Sequence, residues 1–406
     1  MTRSLFCLFA IALTTPAIAA DWPCLLGPTR DGQSTEVGLN WEWPKEGPPI
    51  TWKMEIGSGL AGVSVAGGSV FVFHRVEKDD VLQAVDAATG KELWKFSYPS
   101  KFIDDYRVGD GPRCTPLVSK GTVFAYAADG QLHAVDAKSG KLLWAKNLSK
   151  EYEPPQGYFG VGAGPAIIAG NLLVNVGAKG ASIVAFDPAT GKEVWKIADD
   201  AASYSAITEA TLDDKTYAVA FTRAGLLVLD AKSGEVRYTK AWRSRLDASV
   251  NAATPIVRKD EVFLTASYGT GATLLKLKGN EPDEIWANDK SMSSQFNTPV
   301  RVGDHLYGID GRQEGKSARL RCVEWATGKV MWSKEKFGCA HVIAVDGGLL
   351  AVSEDGELTR YDASPKAFVE KAKATVVDGV VRAAPALADG RLFLRNESKL
   401  ICVKLK

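Results

Sequence analysis

The chain repeats itself. The string VLQAVDAATGKELW at 81–94 returns as QLHAVDAKSGKLLW at 131–144, SIVAFDPATGKEVW at 182–195, GLLVLDAKSGEVRY at 225–238 and LRCVEWATGKVMW at 320–332. With Asp86 as reference, equivalent positions fall at Asp136, Asp187, Asp230, Lys278, Glu324, Asp362 and Lys404, at intervals of 50, 51, 43, 48, 46, 38 and 42 residues. A period in the forties over most of 406 residues points to a solenoid or a propeller, in which each copy is one unit that cannot bury its apolar face alone.

Inside a copy, Leu82, Ala84 and Asp86 alternate with Gln83 and Val85, the period of a strand. Asp86, like Asp136 and Asp187, is placed to accept hydrogen bonds from N–H groups inside the following turn. Gly90 supplies the positive φ that the hairpin needs, and Gly140, Gly191, Gly234 and Gly328 hold the same place. Eight residues after the reference stand Trp94, Trp144, Trp195, Tyr238, Trp286 and Trp332. Each is large enough to fill the gap between neighbouring sheets, and burying one contributes on the order of 2–3 kcal/mol.

Upstream of each hairpin lies a second pair of strands: TPLVS (115–119) and TVFAYAA (122–128), TPIVR (254–258) and EVFLTAS (261–267), TPVRV (298–302) and HLYGID (305–310). Four short strands joined by turns make one propeller blade. Pro116, Pro165, Pro255, Pro299 and Pro385 open the first strands, where a missing N–H is tolerated. The eighth copy ends at 400–406 without an aromatic return strand, and ITWKMEIG (50–57) offers the missing strand, with Trp52 in the Trp94 role. The reading is therefore all-β: an eight-bladed β-propeller of four-stranded antiparallel blades over 51–406, closed by pairing the N- and C-terminal strands so that no edge is left open between the ends. The one helix-like run is 364–374, where copy seven lacks its aromatic.

Residues 1–20 have the form of a signal peptide: Arg3, a short apolar run from Leu5 to Leu13, and the small-x-small site Ala17-Ile18-Ala19. The apolar run is too short to span a bilayer, and Cys24 lies too far along, after Pro23, for a lipid anchor. An exported protein of the periplasm, the cell envelope or the medium is expected, without membrane insertion. Residues 21–50 form an extension expected to pack on the propeller. With 49 basic and 48 acidic side chains, no concentrated charge suggests nucleic acid. Cys24, Cys114, Cys322, Cys339 and Cys402 are scattered and odd in number, so no disulfide framework and no metal pair is expected, although one bridge stays open.

The string D-x-x-[TS]-G-K-x-x-W resembles the repeat of the pyrroloquinoline-quinone-like (PQQ-like) propellers, and the likeness spans about 51–406. The segment DWPCLLGPTRDGQSTEVGLNWEWP (21–44) is similar to the leader of a group of exported bacterial propellers, as are GDGPRCTP (109–116), NAATP (251–255), SYGTGATLLKLKG (267–279) and QFNTPV (295–300). The resemblance implies the fold and two functional settings. Quinoprotein dehydrogenases hold the quinone and a calcium ion in such a propeller, whereas the outer-membrane-assembly lipoprotein uses one as a cofactor-free, protein-binding scaffold. The adjacent-cysteine pair of the alcohol dehydrogenases and a CxxCH haem site are both missing from the sequence. His74, His133, His305 and His341 show no metal-hydrolase spacing, and GSGLAG (57–62) and GVGAGP (160–165) lead into no helix.

The expectation is a non-catalytic, monomeric binding or scaffold propeller without a cofactor, holding another envelope protein or a peptide, with outer-membrane protein assembly as the implied setting. The alternatives are a dehydrogenase of alcohols or sugars using PQQ and Ca2+, and a carbohydrate- or peptide-binding module. In a propeller the segments leading into the innermost strands converge on one face. There the sequence puts Arg113, Tyr158, Tyr204, Asn251, Gln295, Asn297, His341 and Arg382, the chemistry of a polar funnel with aromatic walls. Arg113 could clamp a carboxylate or phosphate, or pair with Asp110 or a neighbouring blade.

Overall fold

A computed structural model describes residues 20–104, 106, 109–155, 157, 159–246, 249–314 and 317–406. The signal-peptide reading of 1–20 falls almost wholly outside these residues, as does Tyr158. Eight antiparallel sheets of four strands follow one another along the chain. Blade one runs from Ser64–Ala66 through Ser69–Val76 and Asp79–Asp86 to Glu92–Pro99, and blades two to seven repeat that order. In blade eight the strands Ala386–Ala388, Arg391–Arg395 and Lys399–Lys404 are completed by Ile50–Glu55 from the other end of the chain. Trp52 lies opposite Cys402 and Lys53 opposite Ile401, so the ring is closed as expected.

The repeat Asp does what its position demands. Asp86 Oδ1 accepts from Ala88 N at 3.1 Å, Thr89 N at 2.8 Å and Thr89 Oγ1 at 2.7 Å. Asp136 and Asp187 hold their turns in the same way, and these hydrogen bonds lower the carboxyl pKa of all three. The repeat Trp acts between blades. Each indole donates to a carbonyl in the next blade's turn: Trp52 to Ala87, Trp94 to Ala137, Trp144 to Pro188, Trp286 to Trp325 and Trp332 to Ser364, at 2.8–3.1 Å. The Trp195 indole N–H is buried without a partner among the described residues.

The repeat Gly has a second reason to be Gly. Besides φ values of +71° at Gly90, +72° at Gly140 and +68° at Gly191, it lies under the preceding blade's indole. A Cβ there would stand 2.7 Å from Trp52 at Gly90, 2.7 Å from Trp94 at Gly140 and 2.8 Å from Trp144 at Gly191. Gly, Trp and carbonyl thus form one inter-blade clasp, repeated round the ring.

One local expectation is corrected. The run 364–374 is not a helix: it enters the strand Glu370–Thr375, with Ala372 opposite Arg360 where other blades place an aromatic. Phe368 compensates from the loop, 5.8 Å from Trp332 and 5.4 Å from Tyr361 between ring centroids. The single described α-helix is Leu148–Tyr152, capped by Asn147, whose side chain accepts from Lys150 N. All five described cysteines are buried and unpaired, as small core residues.

The leader crosses the axis. Trp22 exchanges backbone hydrogen bonds with Val65 of blade one, Pro23 O accepts from Val118 of blade two, Ser34 and Gly32 bond Ala344 of blade seven, and Glu36 accepts from Gly390 of blade eight. All four partners belong to innermost strands or the turns that follow them, so residues 22–36 cover one end of the central channel.

Candidate functional site

The other end of the channel opens into a cavity of about 360 Å³, with Leu25 of the leader reaching into its lining. Its construction follows one rule. The residue four places before the innermost strand is Leu60 in blade one, Arg113 in two, Gly162 in three, Tyr204 in four, Ala252 in five, Phe296 in six and Arg382 in eight. All seven line the cavity, and His341 represents blade seven. The glycines of GSGLAG and GVGAGP are part of the same wall, through Gly62, Gly162 and Gly164. A Cβ on Gly162 would meet the Tyr204 ring at 2.4 Å, so this glycine makes room for the phenol.

Of the candidates named from sequence, the structure brings Arg113, Tyr204, Gln295, His341 and Arg382 together at the cavity. It does not bring Asn251 and Asn297 there. Asn251 is buried and donates to Thr222 O and Trp242 O, bracing its own blade connection. Asn297 is also buried, with its Nδ2 unpartnered among the described residues. Asn251 and Gln295 share a repeat position but part company here: the longer side chain reaches the cavity surface. Its Nε2 donates to the Tyr268 hydroxyl at 3.1 Å and its Oε1 accepts from Gln313 N at 2.9 Å.

Arg113 pairs with Asp104 at 2.9 Å, both side chains nearly inaccessible, and donates also to Gly109 O and Gly111 O. Asp110, the pairing partner considered from sequence, instead accepts from Asp104 N. The guanidinium therefore fastens its own loop. Tyr204 accepts from Phe159 N at 2.8 Å, and burial pushes its hydroxyl pKa up to about 12. His341 Nε2 lies 2.9 Å from Arg382 O, and burial lowers the imidazole pKa, so the ring is neutral.

Sequence reasoning placed Phe159 and Phe296 in the funnel segments without singling them out, and missed Leu25, Leu60, Tyr268, Gln313 and Glu314 as lining residues. The four-residue offset before TPLV, GPAI, TPIV, TPVR and APAL was available to find Leu60 and Phe296; nothing local marked Leu25 or Glu314.

The donor set decides what the cavity can hold. Around it stand amides, phenols, guanidinium groups and one carboxylate, Glu314, which meets Gln295 Nε2 at 3.3 Å and Arg312 Nε at 3.8 Å. Among the described residues no three carboxylate, imidazole or thiol groups converge to hold a metal ion. These donors do not make the oxygen cage that calcium needs. The lining offers apolar contact, hydrogen bonding and a cation, Arg382, whose ion pair with Glu354 spans 3.5 Å.

Fold and cavity together define an eight-bladed PQQ-like propeller with an axial pocket. The profile of the family described as Outer membrane protein assembly factor BamB matches residues 42–174, 78–334 and 316–403, and the chain belongs to this family. BamB of Burkholderia pseudomallei is 25% identical over 264 residues, which cover 62% of this chain and 61% of that protein. The quinohemoprotein alcohol dehydrogenase ADH-IIG of Pseudomonas putida is 26% identical over 216 residues, 45% of this chain but only 28% of the enzyme. The match thus spans between 16% and 28% of the length of the dehydrogenases. Among solved structures, BamB from Moraxella catarrhalis superposes with a TM-score of 0.62 at 12% identity, covering 88% of this chain and 99% of that one. The quinohemoprotein alcohol dehydrogenase from Comamonas testosteroni superposes at 0.67 and 15% identity, over 94% and 80%. Both similarities are of fold.

Proposed function

We propose that the protein is a non-catalytic, exported binding propeller of the cell envelope, which engages a partner protein or peptide on the face where the cavity opens. The observation that carries this reading is the pairing of a recognition-type donor set with an apolar rim. Ile103, Tyr106, Leu246 and Val380 are 71%, 52%, 50% and 43% exposed, and all four lie in blade-to-blade connections that also carry cavity-lining residues, Arg113, Val250 and Arg382. Exposed apolar groups gathered at a pocket mouth mark interaction surfaces. The family membership agrees with an envelope role in outer-membrane protein assembly.

A photo-crosslinking residue placed at Ile103 or Leu246 in cells is expected to give a discrete adduct, identified by mass spectrometry. The same residue at Leu143, exposed on an outer strand, serves as the control. Equal labelling from both faces, or none from the rim, rejects the reading.

The second reading, a PQQ-dependent oxidoreductase of alcohols or sugars, rests on the likeness to the alcohol dehydrogenases. Stoichiometric uptake of the quinone with calcium, followed by alcohol-dependent dye reduction, is the result that selects it.

A further inference from the structure

Most polar groups around the axial cavity already have partners. Arg113 is held by Asp104 and two carbonyls, and Glu314 by Gln295 and Arg312. Arg382 differs. Its Nε forms an ion pair with Glu354 Oε1 at 3.5 Å, the outer limit of a hydrogen bond, and neither buried atom has a closer partner among the described residues. Its Nη atoms have no acceptor among the described residues, yet the side chain lines the cavity.

Position in the ring gives this cation a counterpart. Blades eight and four are opposite in an eight-bladed ring, and so are blades two and six. Arg382 therefore faces the Tyr204 side, and Arg113 the Phe296 side. Tyr268 adds a further ring on the aromatic side. The two guanidinium groups lie on one wall, the opposite wall carries the Tyr204 and Phe296 rings with Gln295 and Glu314 beside them, and the volume is that of a small organic molecule or a terminal residue.

We infer that the cavity binds a carboxylate carried on an apolar body, with Arg382 taking the carboxylate and Tyr204 and Phe296 the body. The inference rests on the binding reading above and names the ligand chemistry. Burial raises the Glu354 pKa, which weakens that group's competition for the guanidinium. The carboxylate can come from the end of a peptide or from a free organic acid, and the experiment separates the two.

Titration calorimetry and ligand-observed NMR would compare 3-phenylpropionate with 3-phenylpropanamide, and Ala-Ala-Leu with its C-terminal amide. The acid form is expected to bind about 10- to 100-fold more tightly than its amide, the range for a charge-assisted hydrogen bond. A preference confined to the tripeptide pair identifies a peptide end, and one confined to the phenyl pair a free acid. Arg382→Met is expected to abolish the preference, and Arg382→Lys to retain part of it. Equal binding of acid and amide, binding of neither, or a preference that survives in Arg382→Met overturns the inference. Rim crosslinking repeated in Arg382→Met keeps the two readings apart. A partner adduct that persists where acid and amide bind alike leaves the binding propeller standing and removes the cavity ligand.

Discussion

Gly191 answers two demands at once, and substitution can separate them. Its φ of +68° disfavours any side chain, and a Cβ would also press on the Trp144 ring at 2.8 Å. Gly121 has a φ of +78° but open space where its Cβ would go. Gly121→Ala is therefore expected to cost about 1 kcal/mol, the conformational term alone. Gly191→Ala should cost about 1–3 kcal/mol more, from overpacking. Equal losses in denaturant titration would show that the ring contact carries no energy. Removing the ring itself, by Trp144→Ala, is expected to cost about 3–5 kcal/mol, whereas Lys141→Ala on the exposed corner stays within about 0.5 kcal/mol. His133 makes a pH-dependent case. Its ring is packed against Tyr98 at 4.2 Å and Phe96 at 5.2 Å between centroids, and burial holds its pKa down to about 4. The unfolded chain takes up this proton near pH 6.5. The stability that neutral His133 contributes is thus fully present above about pH 6.5 and is lost as pH falls towards 4. His74, held down to about 4 by burial, adds to the same slope. His133→Phe should flatten the decline in melting temperature between pH 6.5 and 4 without lowering it at pH 8. An unchanged slope would reject the assignment.

At the level of strands and turns, the sequence was readable wherever the physics is local. Alternation set the strands, Asp86 and its equivalents set the turns, and the four-strand blade followed. Blade seven was misread because its aromatic comes from outside the repeat register. With Ala372 opposite Arg360, nothing in the motif marks Phe368 as the filler. Phe368→Ala is expected to cost about 3 kcal/mol or more, since it removes contacts to Trp332 and Tyr361 together. A loss below about 1 kcal/mol would mean that the blade tolerates the gap. The cavity was partly legible, for a related reason. Convergence of the strand-entry segments put Arg113, Tyr204, Gln295, His341 and Arg382 on one face, and the structure gathers them at one cavity. Their individual roles were not legible, because no local pattern marks the partner: Arg113 pairs with Asp104 of its own loop rather than Asp110, and Arg382 with Glu354 of the neighbouring blade. Asn251 and Gln295 show the limit clearly: same register, similar amide, and side-chain length alone decides which one reaches the cavity.

For the molecule as a whole, the decisive contacts are those that join its two ends. Three ties close the ring at blades eight and one. Ile50–Glu55 pairs with Lys399–Lys404, Trp52 closes over Gly90, and buried Arg395 donates to Phe73 O at 3.3 Å and Gly57 O at 2.8 Å. Among the described residues Arg395 forms no ion pair; burial holds its pKa down to about 10, and the carbonyls, with the nearby charge of Glu397, compensate its charge. Arg395→Met leaves those carbonyls without a donor and is expected to cost about 2–4 kcal/mol. The leader is a different kind of tie, since it spans the channel after the ring is already closed. A chain beginning at residue 41 loses Trp22, Leu25 and Leu39 but keeps every strand, and should still unfold in one cooperative transition at a lower temperature. A chain beginning at residue 56 leaves Lys399–Lys404 as an unpaired edge and empties the place over Gly90. Open edges recruit other chains, so this second truncation should aggregate on heating or lose its cooperative transition. If calorimetry and light scattering found both truncations alike, closure would not be what holds the eight sheets in one body. The clasps between successive blades would then suffice without it.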